Sequence, residues 1–559
     1  MADKLKRHPL FGVAGVLVLL VICNILSENF YGRFDLTRDK RYTLSEASLK
    51  PLENVDEPVF VDVFLGGQLP AEFRKLREET RQMLEEFAAR NNRISFNFID
   101  PLEESGHSEN IIREMQSVGL TPLRYSVEEG GKTSQEMIFP WAMANSGEKS
   151  VRISLLKNKL GASDEERVNN SIQQLEYVFA DAFARLAITD KQNIAVLKGN
   201  GELDDIYIAD FLGTLRDYYN LAPFTMDSVA TAPQRTLDEL RKFDMILVAK
   251  PTEPFTDGEK AVLDQYVMHG GKSLWLVDPV HAERDSLYNE AGKTYAMPRD
   301  LNLNDMFFSY GVRINPVLVN DLYFTQIVLA TGEGNASRYE PYPWFYAPMV
   351  FSKNDHPVTN NLEALRFDFA GAMDTLKNTV RKTVLLRSSP LSKTVGTPVE
   401  ISLDIIGEEP DRETYNNGNQ PLAVLLEGRF NSVYRNRVKP LDLDDNKEVG
   451  APSGMIVVSD GDLIKNQLNQ GSPLELGYDK WTNNFYGNKE FLRNCVNYLL
   501  DRNGLIYIRS KEVSIPFLDK EKVAAGQALW KVVNLAVPLV LLAVFGLLFS
   551  LLRKRRYAR

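Results

Sequence analysis

Residues 193–205, "NIAVLKGNGELDD", join an apolar run to a glycine-rich turn and a group of acids. A buried strand, a tight turn and a helix start form the arrangement that holds phosphates or presents a nucleophile in α/β enzymes. This turn lacks the Lys-Ser/Thr pair of a phosphate-binding loop and the third glycine of a dinucleotide fingerprint. The carboxylates of Glu202, Asp204 and Asp205 would repel a phosphate, and acids at this position stabilise a helix N-terminus without any ligand. We therefore predict the scaffold of an active site with its chemistry missing.

Nucleophiles and metal ligands give no stronger signal. Neither G-x-S-x-G nor G-x-C-x-G occurs, and Cys495 falls inside a helical pattern that would bury its thiol. The five histidines are scattered and no two are spaced as metal ligands: His8, His107, His269, His281 and His356. The sequence therefore predicts a protein that is not an enzyme, with no catalytic residue, no cofactor and no metal.

Acids follow several apolar segments at the points where strands would end: Asp100, Asp278, Asp321, Asp460 and Asp462. Ligands of α/β sheets bind outside the carboxyl ends of parallel strands. One hypothesis is therefore a ligand crevice that includes Asn200, Glu202, Asp278 and Asp460. The alternative is that these acids form turns, as the pairs Asp100-Pro101, Asp278-Pro279 and Asp460-Gly461 indicate, and need no ligand. A hydrolase that uses a carboxylate pair with Asp278 is a further alternative.

The elements that must position these acids occupy residues 191–510. Segments such as "FDMILVAKP", "KSLWLVDPV" and "GMIVVSDGDLI" are almost wholly apolar, which is typical of parallel strands buried on both faces. Helical patterns lie between them. We predict a flavodoxin-like or class I amidotransferase-like parallel-sheet domain, with strands in "TVLLRSS" and "LAVLLEGRF" in its less regular part.

Residues 58–160 precede that domain with a different order. Strand, helix, strand and helix patterns are followed by two strands in "PLRYSVEE" and "SQEMIFPWAMA". This order predicts a thioredoxin-like α/β domain, and the absence of C-x-x-C excludes thioredoxin redox chemistry. A single linking helix is predicted within residues 161–190, because Val168, Ile172, Leu175 and Phe179 share one helical face.

Both ends of the chain carry uncharged apolar segments, residues 10–26 and 532–552, long enough to cross a bilayer. A cleaved signal peptide is the alternative for the first, but no small-x-small site follows it, and Ile22 before Cys23 does not suit lipid attachment. The basic tail at residues 553–559 places the C-terminus in the cytoplasm. With two spans, the N-terminal residues 1–9 share that side.

This topology makes the chain an α/β two-anchor protein of the inner membrane with its main body in the periplasm. Residues 27–57 and 511–531 become juxtamembrane segments. Four basic residues after the first span oppose the orientation locally: Arg33, Arg38, Lys40 and Arg41. We give them less weight because long domains are translocated largely regardless of charge.

The charge and composition of the sequence limit the classes of molecule that the protein can bind. The net charge of −10 is spread over interspersed acids and bases without a basic cluster in the body, which excludes nucleic-acid binding. Membrane lipid is the partner that the two apolar segments predict. The two cysteines, Cys23 and Cys495, lie too far apart in the predicted topology to pair, so no disulfide is expected.

Several segments together resemble a known family: "RFDLTRDKRYTLSEAS", "FNFIDP", "IAVLKGNGE", "GGKSLWLVDP" and "LNDMFFSYGVRINPVLVND". With the two-anchor layout, the whole chain resembles the GldG family of gliding-motility-associated ABC-transporter auxiliary proteins of Bacteroidetes. In relatives the glycine turn often reads Gly-His-Gly-Glu, whereas Asn200 stands at the histidine position here. The resemblance implies an amidotransferase-like fold without catalytic residues. It also implies an ABC permease, a cytoplasmic ATPase and other motility or extracytoplasmic proteins as partners. The chain has no Walker motif, so ATP hydrolysis would belong to a partner.

Overall fold

The computed structural model describes residues 43–103, 108–129, 132–157, 160–188, 190–332, 338–352, 356–501, 504–510 and 520–557, with positions 15, 16 and 20. Apart from those three positions, the predicted N-terminal tail and first membrane span lie outside this part, as do His8, His107 and Cys23. The chain forms two compact units, Met1–Glu512 and Val513–Arg559. The described residues form a mixed α/β structure with several sheets and eleven α-helices.

The described residues of the first half of the Met1–Glu512 unit, up to residue 190, form six strands and five helices. The strands are β1 Val59–Val63, β2 Ile94–Phe98, β3 Leu123–Glu129, β4 Lys132–Ile138, β5 Trp141–Ser146 and β6 Lys149–Ser154. The helices are α1 Glu46–Glu53, α2 Ala71–Arg90, α3 Ser108–Ser117, α4 Asp164–Ile172 and α5 Leu175–Ala187. Four strands form a sheet in the order β2-β1-β5-β6, in which β1 and β2 are parallel and the other pairs antiparallel. Strands β3 and β4 form a separate hairpin.

Two predictions for this half were wrong in detail. The segment "SQEMIFPWAMA" is not one strand, because the chain changes partner around Pro140: β4 pairs with β3, whereas β5 pairs with β1. Proline has no amide hydrogen to continue a ladder. The linking helix is also broken. The amide of Gln174 donates to the carbonyl of Ser171 at 3.0 Å, a tight turn that ends the first helix and separates α4 from α5.

The second half contains strands β7 to β27, most of them short. They are β7 Asn193–Lys198, β8 Asn220–Thr225, β9 Met245–Ala249, β10 Lys272–Leu276, β11 Val280–His281, β12 Lys293–Pro298, β13 Val312–Asn315, β14 Val317–Asp321, β15 Phe324–Thr331, β16 Arg338–Val350, β17 Leu365–Arg366, β18 Ala372–Thr375, β19 Arg381–Arg387, β20 Ser392–Gly396, β21 Val399–Ser402, β22 Pro421–Asn431, β23 Val449–Val458, β24 Leu468–Asn469, β25 Ser472–Pro473, β26 Tyr478–Asp479 and β27 Asn484–Phe485. The helices are α6 Asp205–Arg216, α7 Pro233–Leu240, α8 Asp257–Met268, α9 Asn304–Tyr310 and α10 Asn488–Leu500.

Seven of these strands form the main sheet, in the order β19-β22-β23-β10-β9-β7-β8. Strands β8, β7, β9, β10 and β23 are parallel, and β22 and β19 extend that sheet with antiparallel pairing. The predicted parallel sheet is therefore confirmed. Counted along the chain, its parallel strands lie in the order 2-1-3-4-5, which reverses between β7 and β9.

The main sheet is covered on both faces, as its apolar strands predict. Successive side chains of β7 alternate between two hydrophobic clusters, with Ile194 and Val196 in one and Ala195 and Leu197 in the other. Helices α6 and α10 contribute to the first cluster, and α7, α8 and α9 contribute to the second. All five residues of β9 are buried.

A long insertion lies between β10 and β22 and contains strands β11 to β21, apart from β19, which joins the main sheet. Its small sheets surround a third hydrophobic cluster that includes Leu318, Ile327, Trp344 and Phe369. Residues of this insertion reach the carboxyl ends of the main sheet, where Glu283 contacts Lys250 and the amide of Asp368 donates to Asp460. The fold therefore provides walls as well as a floor for a site at that edge.

The two halves of this unit are joined by buried polar contacts. Glu490 on α10 forms ion pairs with Lys157 at 3.1 Å and Arg509 at 2.6 Å. Asp181 on α5 accepts a hydrogen bond from the hydroxyl of Tyr218 at 2.8 Å.

The helix α1 is held to the body by one buried carboxylate. Glu176, at the start of α5, accepts hydrogen bonds from the amide of Ser45 and the hydroxyl of Ser48, each at 2.6 Å. Glu176 is buried, and Ser45 also caps α1 by accepting a hydrogen bond from the amide of Ser48. The end of the predicted juxtamembrane segment 27–57 is therefore part of the folded body.

The Val513–Arg559 unit contains helix α11, Lys520–Tyr557. Its segment Gly526–Arg555 is long and apolar enough to cross a membrane, and none of its residues is buried. This segment includes the second predicted span, residues 532–552. Pro538 lies inside it, as membrane helices tolerate.

Candidate functional site

The carboxyl ends of the parallel strands bring several of the chemistry-bearing residues to one edge. The glycine turn follows β7, Lys250 follows β9, Asp278 lies just beyond β10, and Asp460 lies just beyond β23. Because β10 and β23 are neighbours in the sheet, Asp278 and Asp460 come together, as the crevice hypothesis requires.

At this edge Lys250 is surrounded by acids. Its Nζ lies 2.7 Å from Asp462 Oδ1, 2.9 Å from Glu283 Oε1 and 3.4 Å from Asp278 Oδ2. Lys250 is only 2% exposed. We call Lys250, Asp278, Glu283, Asp460 and Asp462 the lysine cluster. Its ammonium neutralises carboxylates that would be costly to bury alone.

The acids of the lysine cluster also fix the surrounding backbone. Asp460 accepts hydrogen bonds from the amides of Asp368 and Asp462, both at 2.7 Å. Asp278 accepts a hydrogen bond from the amide of Gly461. A side chain at Gly461 would collide with Lys250, because its Cβ would lie 2.5 Å from the Cγ of that lysine. The cluster is therefore tightly packed.

The protonation of the cluster follows from burial and from its one cation. Burial raises the pKa of Asp278 to about 6, against the opposing effect of Lys250. Burial and the neighbouring carboxylates of Asp278 and Asp462 raise the pKa of Asp460 well above its usual range. For Asp462, burial acts upward, but Lys250 and Lys465 together bring the pKa below its usual value.

The amine of Lys250 remains protonated. Although burial acts to lower its pKa, the charges of Asp278, Asp462 and Glu283 outweigh burial and raise it. An ammonium in this state cannot act as a nucleophile or a general base. The backbone of Lys250 has φ +53°, in the left-handed region that residues other than glycine rarely adopt.

The same cluster offers oxygen ligands. One oxygen from each of Asp278, Asp460 and Asp462 can lie within 4.8 Å of the others. Lys250 already contacts Asp278 and Asp462, so a metal ion would have to displace the ammonium. The arrangement suits an internal ion-paired network.

The other two residues of the predicted crevice lie in the neighbouring loop. The amide of Asn200 donates to Glu202 Oε2 at 2.8 Å, and its side-chain amide donates to Glu259 at 3.4 Å. Burial raises the pKa of Glu202, and Lys198 and Glu259 are the charged groups near it. Asn200 and Glu202 thus pair with each other, while Asp278 and Asp460 belong to the lysine cluster.

The remaining sequence candidates have local contacts. Asp321 accepts hydrogen bonds from Ser389 within the insertion, and Asp100 accepts one from the amide of Leu102. Of the described histidines, His269 contacts Asp445 and His281 contacts Arg299. Cys495 is fully buried, and burial raises the pKa of its thiol well above the usual value, which makes it unreactive.

A pocket of about 820 Å³ lies beside the lysine cluster, and Asp462 lines it. We call it the aromatic crevice and define it by Tyr207, Arg284, Tyr288, Tyr339, Arg366 and Trp481. Arg284 is paired with Asp368 at 2.7 Å, and Arg366 with Asp479 at 3.1 Å. Because Asp460 holds the amide of Asp368, the lysine cluster supports one wall of the crevice.

Exposed aromatic rings form the rim of the aromatic crevice. The ring centroids of Tyr339 and Trp481 are 4.9 Å apart with an interplanar angle of 37°. Tyr339 is 65% exposed, Tyr288 53% and Trp481 49%. Sequence reasoning missed this crevice and also Lys250. The available signals were the mixed aromatic and polar segments "YDKWTNNFYG" and "RYEPYPWFY", and a charged residue at the end of an apolar strand.

Comparison with known proteins gives two family matches. Residues 191–495 match the model of a family described as an ABC-type uncharacterized transport system. Residues 38–145 match a domain of unknown function. No curated protein matches the chain.

One solved structure, titled "mmIFT52 N-terminal domain", is similar to the chain at 13% identity. The match covers 56% of this chain and 98% of that one, with a TM-score of 0.31. At this TM-score the likeness carries no argument about fold or function.

Proposed function

The chain belongs to the ABC-type uncharacterized transport system family, and from this premise we propose that it is a non-catalytic, membrane-anchored auxiliary subunit of an ABC transporter complex that serves bacterial gliding motility. The family match over residues 191–495 is the observation that carries the proposal. An auxiliary role in ABC transport follows from the family, and membrane association follows from the family together with the apolar helix α11.

The non-catalytic part of the proposal rests on the state of the candidate groups. Lys250 lies at the carboxyl end of β9, and three carboxylates hold it as an ammonium. The thiol of Cys495 is fully buried within α10. These contacts support a body that binds rather than reacts.

Strand order supports the finer domain assignments. The parallel order 2-1-3-4-5 of the main sheet is that of flavodoxin-like folds, to which we assign the second half as an amidotransferase-like relative. The order β2-β1-β5-β6, with one parallel pair and an antiparallel hairpin, supports a thioredoxin-like first half.

The proposed topology has two membrane spans, cytoplasmic termini and a periplasmic body. The basic residues Arg553, Lys554 and Arg555 at the end of α11 support a cytoplasmic C-terminus. The spans would contact lipid and the permease, and the permease would contact the ATPase. The link to gliding rests on the resemblance of the sequence to the GldG family.

Co-purification tests the complex. The tagged full-length chain, extracted in mild detergent, should bring an ABC permease and an ATPase with it, as identified by mass spectrometry. A matched chain that ends at residue 519, and so lacks α11, should lose most of the permease. Recovery of the full-length chain alone would contradict the proposal.

Two further measurements test the finer parts. Protease added to spheroplasts should digest the body, and an undigested body would contradict the periplasmic orientation. Deletion of the gene should abolish colony spreading, with recovery on complementation. Normal spreading of the deletion strain would remove the gliding assignment and leave the transporter assignment intact.

A second candidate function is that of an extracytoplasmic ligand receptor. The observation that favours it is the aromatic crevice, which lies beside the carboxyl ends of the parallel strands, where α/β sheets bind ligands. Its volume of about 820 Å³ lies within the range of small-molecule sites. The two functions are compatible, because an auxiliary subunit can deliver what it binds.

A further inference from the structure

We propose that the aromatic crevice binds a neutral saccharide, with Tyr339 and Trp481 as its stacking platform. This deepens the receptor function proposed above by naming the chemical class of its ligand. It does not require that the chain be in a transporter complex, so it can fail while the co-purification result stands.

The charges of the crevice indicate a neutral ligand. Among the described residues, four cations and four anions line it: Arg284, Arg366, Lys465 and Lys480, with Asp285, Asp368, Asp462 and Asp479. The charged groups largely pair with one another, since Arg284 contacts Asp368, Arg366 contacts Asp479, and Lys465 lies 3.6 Å from Asp462. A charged ligand would have to break these pairs, whereas a hydroxyl group can share their remaining donors and acceptors.

The rings indicate a ligand with apolar faces. Tyr339 and Trp481 form an adjacent pair whose rings are both largely open to solvent, and the exposed ring of Tyr288 lines the same pocket. Exposed aromatic groups of this size are uncommon in contiguous patches unless a partner covers them. A pyranose ring meets both requirements, an apolar face and an uncharged polar edge. Its C–H faces pack on aromatic rings, while its hydroxyl groups form hydrogen bonds around its edge.

The platform is held in place by the protein itself. The Nζ of Lys480 lies 5.1 Å from the ring centroid of Trp481 and donates to the carbonyl of Leu468 at 2.7 Å. Asp479, the partner of Arg366, also accepts hydrogen bonds from Thr482 at 2.8 Å and from the amide of Trp481 at 3.3 Å. The segment that carries Trp481 is therefore fixed to the arginine of the crevice wall before any ligand arrives, which lowers the entropic cost of binding.

Calorimetric titration of the full-length chain in detergent tests the proposal. The probes are the neutral disaccharides maltose, cellobiose, mannobiose and N,N′-diacetylchitobiose, with glucuronate, glucose 6-phosphate and a neutral tripeptide as competitors of other chemistry. We expect at least one neutral disaccharide to bind, and the charged sugars and the tripeptide not to bind. Longer oligomers of the sugar that binds distinguish a free disaccharide from a segment of a polysaccharide, because only the latter should bind more tightly as length increases.

Variants locate the site. Trp481→Ala and Tyr339→Ala should each weaken binding about tenfold or more, while Trp481→Phe should keep it within about threefold. Tyr295→Ala is the matched control, because Tyr295 is 63% exposed and does not line the crevice, and it should leave affinity unchanged. Equal melting temperatures of the variants exclude misfolding as the cause of lost binding.

Three results would overturn the proposal. One is that no neutral disaccharide of the panel binds. Another is that a charged sugar or the tripeptide binds instead, which would assign the crevice to a different ligand class. The third is that a disaccharide binds equally well to the chain and to its Trp481→Ala and Tyr339→Ala variants.

Discussion

The lysine cluster and the aromatic crevice share Asp462, yet they are opposite kinds of environment. In the lysine cluster, Lys250 is 2% exposed and its ammonium contacts three carboxylates. Beside it, the rings of Tyr339 and Trp481 are 65% and 49% exposed and pack on each other.

This difference separates two roles that often coincide in α/β proteins. The side chains best suited to catalysis, Lys250 and the acids of the lysine cluster, are largely buried and pair with one another. The groups of the aromatic crevice that can meet a ligand are exposed rings and charged side chains, most of which are ion-paired. The carboxyl edge of the sheet thus keeps its buried charges apart from the surface that is open to a ligand. Four predictions test the contrast.

The largest effect is expected for Lys250→Met. The variant leaves the buried carboxylate of Asp278 without its ion-pair partner and removes the nearer of the two lysines beside Asp462, which should lower the free energy of unfolding by about 3–5 kcal/mol. Urea unfolding followed by tryptophan fluorescence measures it. The matched control is Lys242→Met, since Lys242 pairs with Glu239 at 2.6 Å on the exposed surface and should cost less than about 1 kcal/mol. Similar losses in the two variants would show that the cluster is not sealed.

The next effect is a pH dependence that comes from Asp278. Its pKa is about 6 in the folded protein and about 4 in an unfolded chain, so the folded state binds the proton more tightly. Stability from this group is therefore present below about pH 4 and is lost as the pH rises to 6. Relative to Asp278→Asn, the wild type should lose up to about 3 kcal/mol of unfolding free energy between pH 4 and pH 7.

Asp374 provides a control, because its contribution to the free energy of unfolding should change with pH in the opposite direction. Hydrogen bonds from Asn315 and Arg313 lower its pKa, so its contribution is present above about pH 4 and is lost as the pH falls through the lowered value. Urea unfolding of wild type, Asp278→Asn and Asp374→Asn from about pH 2 to pH 7 should therefore show two effects of opposite direction: the Asp278 effect above about pH 4 and the Asp374 effect below it. The same slope for both variants would contradict the assignment of a raised pKa to Asp278.

A smaller effect is expected in the glycine turn beside the cluster. Gly201 has φ +71°, and a Cβ there would lie 2.1 Å from the Oγ1 of Thr252, so Gly201→Ala should cost about 1–2 kcal/mol. Gly213 lies inside α6, where a Cβ would have no other atom within 4 Å, and Gly213→Ala should stabilise by up to about 1 kcal/mol. Thermal unfolding of the two variants compares them directly. If Gly201→Ala left the thermal stability unchanged, the turn would have room to accommodate the extra methyl group.

The smallest effect on stability is expected at the crevice rim. Trp481→Ala and Tyr339→Ala remove rings that are about half exposed or more, so each should change the free energy of unfolding by less than about 1 kcal/mol. The same urea experiment measures it. A loss of several kcal/mol would show that these rings stabilise the fold, and the contrast between a sealed cluster and an open crevice would then disappear.

Much of the fold could be predicted from the sequence because its signals are local. The apolar runs of β9, β10 and β23 need no long-range information to indicate a sheet buried on both faces. The uncharged run within α11 is equally direct. The errors at Pro140 and Gln174 are also local, since a break in a strand or helix changes few residues and leaves the surrounding pattern almost unaltered.

The site was only partly predictable because it depends on which strands are neighbours. Asp278 and Asp460 meet because β10 and β23 are adjacent in the sheet. Glu202 does not join them, because β9 lies between β10 and the strand that precedes the glycine turn, and the charged groups near Glu202 are Lys198 and Glu259. Lys250 is one charge at a strand end and has no motif around it. The aromatic crevice brings together Tyr207, Tyr339 and Trp481 from distant parts of the chain, so no residue spacing in the sequence predicts it.

The attachment of Ser45 and Ser48 to Glu176 has a mechanical consequence. A pull on the chain from the N-terminal side of α1 would reach Glu176 before it reached either sheet. Glu176 begins α5, whose Asp181 is bonded to Tyr218 of the other half, so tension would pass along one helix to both halves together. The two serine contacts would therefore be loaded before the strands of either half.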